Sequence, residues 1–213
     1  MRHGKGYMKY VNGDIYNGNW LENRQNGTGR FEYFSGGVYV GDFLGGKRHG
    51  EGNLTCTDKS LYSGSFVANK KCGEGVFTCS EHSYDGEWRN DRQSGLGKLR
   101  TVNGDIYEGE FLNDLKHGEG TFTQEDGCSY TGLFVDGLKD GIGKMLFPDG
   151  SKYEGQWKSG MKHGQGIMTM ANGDTYGKHA DADAGGVVHC FCACASSITL
   201  KFWFCIGRWC VQG

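Results

Sequence analysis

The chain has 213 residues, a formal net charge of −2 and 37% hydrophobic content, thin for one globular domain closed around a single core. Near-neutral charge, balanced also within residues 1–176, excludes the strongly basic surface on which nucleic-acid binding rests. Glycine is the outlier: 39 residues against one proline, Pro148, which sets the sequence apart from collagen and from disordered linkers.

The N-terminus, Met-Arg-His-Gly-Lys-Gly, has no apolar h-region and reads as carrying no secretory signal. Instead it opens inside a pattern: His3-Gly4-Lys5-Gly6 runs through Met8 and Tyr10 to Asn12-Gly13 and into Tyr16. Either translation begins there, or this is the C-terminal piece of a longer array, the expectation preferred because a solenoid end normally carries a polar cap and none is visible. From Tyr16 the skeleton Tyr-x-Gly-x-aromatic, polar link, His-Gly-x-Gly recurs at Tyr39, Tyr62, Tyr84, Tyr107, Tyr130 and Tyr153, in steps of 23 residues with a single 22 between Tyr62 and Tyr84. Self-similarity at such a period marks a repeat architecture, in which each unit buries its apolar face only against its neighbours.

Within a unit the apolar positions alternate. Tyr107, Gly109 and Phe111 share one face of an extended segment, and the alternation resumes at Phe122 after Gly118-Glu119-Gly120, so the elements are strands. The position two after the second glycine is apolar throughout: Met8, Phe31, Leu54, Phe77, Leu99, Phe122, Met145 and Met168. Its preceding neighbours are chemically mixed, which gives one apolar and one tolerant face. Between units, Asn12-Gly13, Asn103-Gly104, Asp126-Gly127, Asp149-Gly150 and Asn172-Gly173 supply the positive φ of tight hairpin turns. Asp58-Lys59 and Ser80-Glu81 lack that signal and are expected to turn differently and to be more mobile. The other link, Leu112 to His117 in the fifth unit, is about six polar residues. Short links force antiparallel pairing, hence a meander of roughly fifteen strands on the order of 70 Å long at ~4.8 Å per strand.

A ribbon one sheet thick can seat aromatic rings only over backbone without a Cβ, a space Gly109 and Gly118 would provide. The tyrosines Tyr16, Tyr39, Tyr62, Tyr84, Tyr107, Tyr130 and Tyr153 and the framework aromatics Trp20, Phe43, Phe66, Trp88, Phe111, Phe134 and Trp157 are the expected core, with rings lying flat and stacked along its length.

These residues carry a resemblance. Tyr-x-Gly-x-Trp/Phe followed by His-Gly-x-Gly in 23-residue steps, over residues 3 to about 176, resembles the MORN (membrane occupation and recognition nexus) repeat family. Gln25-Asn26, Lys71-Cys72, Gln93-Ser94 and Lys139-Asp140 depart from its Lys/Arg-His pair, and Asn23, Asn69, Asn90 and Asn113 stand in the link where the family has glycine. The expected fold is all-β, an elongated single-layer antiparallel β-meander solenoid of hairpin repeats over residues 1–176, with residues 177–213 an irregular Cys-rich tail. What the resemblance implies is a non-enzymatic scaffold for protein partners, cytoplasmic and placed at cytoskeletal or membrane-adjacent structures. It also implies self-association through the last repeats, Tyr153 to Tyr176. Two alternatives stay open: a module for phosphoinositides or anionic membrane, and the regulatory fragment of a larger lipid kinase or methyltransferase.

The remaining chemistry is weak. Gly41-Asp-Phe-Leu-Gly45-Gly46-Lys47-Arg48 misses a phosphate-binding loop by one residue, Arg48 standing where Ser or Thr must hold Mg²⁺. Nine cysteines, with Cys56, Cys72, Cys79 and Cys128 scattered through the repeats, fit reduced thiols better than a disulfide framework. In the tail, His189, Cys190, Cys192, Cys194, Cys205 and Cys210 lack paired zinc spacing, and S-acylation there is as weakly signalled. Val187 to Leu200 is apolar but shorter than the ~20 residues of a membrane helix. A mistranslated or alternatively spliced end, a membrane-associating tail and a tail of other use all fit. His3, His49, His117 and His163 recur in phase without a nucleophile or carboxylate in matching phase, so a structural hydrogen bond suits them better than catalysis. No catalytic residue, cofactor or metal is expected. Lys47, Arg48, Lys70, Lys71, Lys116, Lys139 and Lys162 would offer a basic edge to anionic headgroups, worth ~1 kcal/mol each near such a surface, offset by Glu51, Glu74, Glu108 and Glu119.

Overall fold

The computed structural model describes residues 1–179 and 189–193, with side chains to Gly177. These residues are all-β, in two units: one from Met1 to Leu115 and a second starting at Lys116. The first holds β1 (Gly4–Lys9), β2 (Ile15–Leu21), β3 (Arg24–Glu32), β4 (Val38–Leu44), β5 (Lys47–Thr55), β6 (Leu61–Val67), β7 (Lys70–Thr78), β8 (His82–Arg89), β9 (Arg92–Thr101) and β10 (Ile106–Leu112). Each pairs antiparallel with the next in sequence, an open meander. The second holds β11 (Leu115–Thr123), β12 (Ser129–Val135), β13 (Leu138–Leu146), β14 (Lys152–Lys158), β15 (Met161–Thr169), β16 (Thr175–His179) and β17 (His189–Ala193), paired in the same way. Backbone pairing therefore runs past Tyr176, where the repeat pattern was expected to fail.

Glycine sets the register. Gly6, Gly18, Gly29, Gly41, Gly52, Gly64, Gly75, Gly86, Gly97 and Gly109 pair in a line across all ten strands of the first unit. Gly120, Gly132, Gly143, Gly155 and Gly166 do the same in the second. Each tyrosine folds its ring back over this stripe. A Cβ on Gly41 would fall 2.5 Å from the Gly52 Cα and 2.6 Å from the Tyr39 hydroxyl, and one on Gly52 would run into the ring itself. The hydroxyl of each of the seven donates to the carbonyl three residues on, from Tyr16 to Asn19 at 2.8 Å through Tyr153 to Gln156 at 3.1 Å, which lets a phenol be buried without an unpaired polar group.

The rings meet edge to face. Tyr16 is 5.2 Å from Trp20 in its own unit and 5.1 Å from Phe43 in the next, and the alternation continues through Tyr39, Phe66, Tyr62, Trp88, Tyr84 and Phe111. Tyr130, Phe134, Trp157 and Tyr153 repeat it in the second unit. Interplanar angles of 81–90° replace the expected flat stack. The ring quadrupole accounts for this, since a positive edge over a negative face is worth about 0.5–1.5 kcal/mol per pair beyond area burial.

The two glycines of Gly-x-Gly have different jobs. The second belongs to the stripe. The first sits in a bulge: between the pairs Gly18↔Gly29 and Trp20↔Gln25, Asn19 alone faces Asn26, Gly27 and Thr28, and Gly27 has φ +76°. Gly118, in the same phase as Gly27, is left-handed too, at φ +57°. The amide freed by the bulge is taken from across it: Asp42 accepts from Glu51 N–H at 3.2 Å, and Glu87 from Leu96 N–H at 2.9 Å.

The hairpins also divide in two. Asn12-Gly13 belongs to a three-residue loop in which Tyr10 N–H donates to Asp14 and Gly13 N–H to Tyr10, with only the glycine left-handed at φ +92°. The two-residue turn with both φ positive lies in the other link, at Glu22-Asn23 (49° and 65°), Ala68-Asn69 (50° and 76°) and Asn113-Asp114 (50° and 71°). That link is two residues and not six, because the strands run on to the turn. Asp58-Lys59 was expected to turn differently and does not: Cys56 and Ser60 make the same bonds as Tyr10 and Asp14, and Lys59 takes the glycine's place at φ 67°. Ser80-Glu81 does differ. Its loop closes one residue early, Cys79 N–H donating to the His82 carbonyl at 2.9 Å, and this absorbs the 22-residue step.

Candidate interaction surface

Adjacent strand residues face opposite sides of a sheet, so the seven basic residues of the expected edge part into two sets. Lys47 and Lys70 are exposed on the face away from the rings. The other five lie over the aromatic row. Arg48 is 5.1 Å from the Phe66 ring centre, and Lys71 Nζ is 4.8, 4.7 and 4.6 Å from those of Tyr62, Phe77 and Trp88. Lys139 sits 5.0 Å from Tyr130 and 5.1 Å from Trp157, Lys162 4.7 Å from Tyr153 and 5.0 Å from Phe147, and Lys116 3.9 Å from Phe122. These are cation–π distances. Desolvation among the rings draws Lys71, Lys139 and Lys162 below the ordinary lysine range.

The exposed set has company that sequence reasoning missed. Flanking each two-residue turn, an apolar residue pairs across the strands with a base: Leu21 with Arg24, Leu44 with Lys47 and Val67 with Lys70, while Arg89 faces Arg92. Leu21, Leu44 and Val67 are 49%, 56% and 52% exposed, and none of Arg24, Lys47, Lys70 and Arg92 makes an ion pair among the described residues. Further in on this face Lys98 and Glu108 do pair, so the acids offset the bases mid-strand and not at the edge. The missed signal was the residue five after each tyrosine, which read as link and is strand. In the second unit the same places hold Val135 with Leu138 and Lys158 with Met161.

The histidine place faces the next hairpin. Asn26 and Asp140, which occupy it, accept from Gly45 N–H (3.4 Å) and Ser159 N–H (3.2 Å), and His117 Nδ1 lies 3.9 Å from Asp136. Asn26 and Asp140 thus bond the next hairpin from the place where a structural hydrogen bond was expected of the histidines. The link departures bind too: Asn23 and Asn69 accept through their side chains from the backbone amides of Arg2 and Arg48, at 2.8 Å each, joining successive repeats. Among the described residues no cluster of His, Cys, Asp or Glu has the form of a metal site. The tail cysteines considered for zinc or acylation lie outside the described side chains, and no helix of the described residues is long and apolar enough to cross a membrane.

The family model of the MORN repeat matches residues 1–15, 16–38, 39–61, 62–83, 84–106, 107–129, 130–152 and 153–175. No curated protein matches the chain significantly. Among solved structures, the SAS-4 (dCPAP) TCP domain in complex with a proline-rich motif of Ana2 (dSTIL) of Drosophila melanogaster is similar at 12% identity and TM-score 0.46, over 83% of this chain and 90% of that one, a likeness too distant to reason from.

Proposed function

The chain belongs to the MORN repeat family, and from that premise we propose that it is a non-enzymatic scaffold whose turn-flanking edge in residues 1–115 docks acidic segments of protein partners. The observation that carries this reading is the series Leu21/Arg24, Leu44/Lys47, Val67/Lys70: exposed apolar side chains, each beside an unpaired cation, at one hairpin after another. Apolar contact supplies the affinity of such a surface, and unpaired charge supplies orientation and on-rate. The partners we favour are cytoskeletal or membrane-adjacent, with a second copy engaged through the last repeats from Tyr153.

Placing a photo-crosslinking residue at Leu44, and separately at Asn53 in mid-strand of the same face, tests the reading in cells. Protein adducts are expected at Leu44, few at Asn53, and almost none at Leu44 in the double variant Lys47→Glu/Lys70→Glu, which folds normally. Adduct yield indifferent to charge reversal contradicts it. The same apolar-plus-basic edge also suits an anionic membrane, and lipid adducts at Leu44 with steep salt-sensitive binding to anionic liposomes would favour that second reading.

A further inference from the structure

In each unit residues of one phase form a row: Arg2, Gln25, Arg48, Lys71 and Gln93 in the first, Lys116, Lys139 and Lys162 in the second. Three kinds of ring receive the row's cations. One belongs to the tyrosine–framework series, as Trp20 does for Arg2 at 4.7 Å. A second lies six residues on, as Phe77 does for Lys71 and Phe122 for Lys116. The third lies in the preceding loop, as Phe147 does for Lys162. At Gln25 both accessory rings are present, Phe31 six residues on and Tyr10 in the preceding loop, their centres 6.0 Å apart, and the cation is not. Gln25 turns instead to Tyr10, donating Nε2–H to its hydroxyl at 3.0 Å. Beside it opens a cleft of about 400 Å³ lined by Tyr10, Trp20 and Phe31, with Asp14 and Arg24 also bordering it. Gln93, the other neutral member, has Leu99 and Cys79 in those two ring places.

We infer that the cleft at Gln25 is a cation-accepting site, completed by a lysine or arginine side chain of a partner protein that takes the place the chain fills from within at Arg48 and Lys71. Arg2 already lies over Trp20, but Tyr10 and Phe31 receive no cation among the described residues, and rings of this kind attract a positive charge for the reason that the neighbouring repeats already exploit. The assignment rests on the scaffold reading and goes beyond it: it adds a second contact, on the aromatic face, to which a partner presents a basic side chain.

The test uses the full chain and two short peptides, one with a central lysine and one with norleucine in its place, followed by the Trp20 indole and Gln25 amide resonances. The lysine peptide is expected to bind about 2- to 30-fold more tightly than the norleucine peptide, the range a cation–π contact supplies. Gln25→Lys is expected to abolish the difference while Gln93→Lys leaves it. Equal binding of the two peptides, absence of binding, or binding undisturbed by Gln25→Lys overturns the site. Vesicles of phosphatidylcholine are a further arm, since their quaternary ammonium has the same chemistry: resonance shifts with vesicles as large as with the lysine peptide would overturn the protein source. The peptides need no natural partner, so failure here leaves the crosslinking result at Leu44 standing, and the reverse also holds.

Discussion

Glycine carries most of the structural information in this chain, and two neighbouring residues separate its roles. Gly52 has ordinary backbone angles, and what excludes a side chain there is the ring of Tyr39. Gly45 has open space around it and is held only by φ +59°, an angle that Ala68 adopts in the next repeat. Gly52→Ala should therefore cost about 1–3 kcal/mol through forced repacking, and Gly45→Ala no more than about 1–2 kcal/mol of left-handed strain. Urea denaturation of the two variants measures the contrast, and equal losses would contradict a ring-seating stripe. The phenol adds its own contribution. Tyr84→Phe keeps the packing and deletes the 2.9 Å bond to the Glu87 carbonyl, an expected loss of about 1 kcal/mol with strand content unchanged.

Hairpins show how much could be read from the letters. Strands, their pairing and the buried aromatics were legible because Tyr, Gly and Trp or Phe recur two residues apart, the period of a sheet. The turns were legible only in part: Asn12-Gly13 marked a hairpin loop that does form, with Gly13 at φ +92°, while Ala68-Asn69 makes its two-residue turn with no glycine at all and read as polar link. The bulge at Gly27 was hidden because glycine is written alike whether it relieves a positive φ or lies beneath a ring. Hidden with it was the direction of the strand beyond, which is why Leu21, Leu44 and Val67 passed for linker and their pairing with bases went unseen. The row of Arg48 and Lys71 was found in sequence but placed at a lipid-facing edge, since nothing in the letters says which face a residue after a bulge will take. Lys59 tests the loop geometry. Sitting at φ 67° where other loops have glycine, it should gain about 1 kcal/mol on Lys59→Gly by relief of left-handed strain. A loss on thermal denaturation would show that this loop does not share the common form.

In each unit, stability is a sum of contacts between neighbouring repeats, since no residue of a meander touches a repeat far away in sequence. The aromatic row is where those contacts concentrate, and its protons report on it. Burial pushes Tyr16, Tyr39 and Tyr130 up to about 12, and raises Tyr62, Tyr84 and Tyr153 as well. An unfolded tyrosine releases its proton near pH ~10. Below that, both states are protonated and the row's stabilisation is intact. Above it the unfolded chain loses protons first, and stability falls as the pH rises through about 12. The direct test is an alkaline titration of the full chain that records tyrosinate absorbance and strand circular dichroism together. Seven of the eleven tyrosines lie in the row, and their absorbance is expected to appear only as the strand signal collapses. Ionisation of all eleven while the strand signal stays intact would contradict a fold held by buried rings on a glycine stripe.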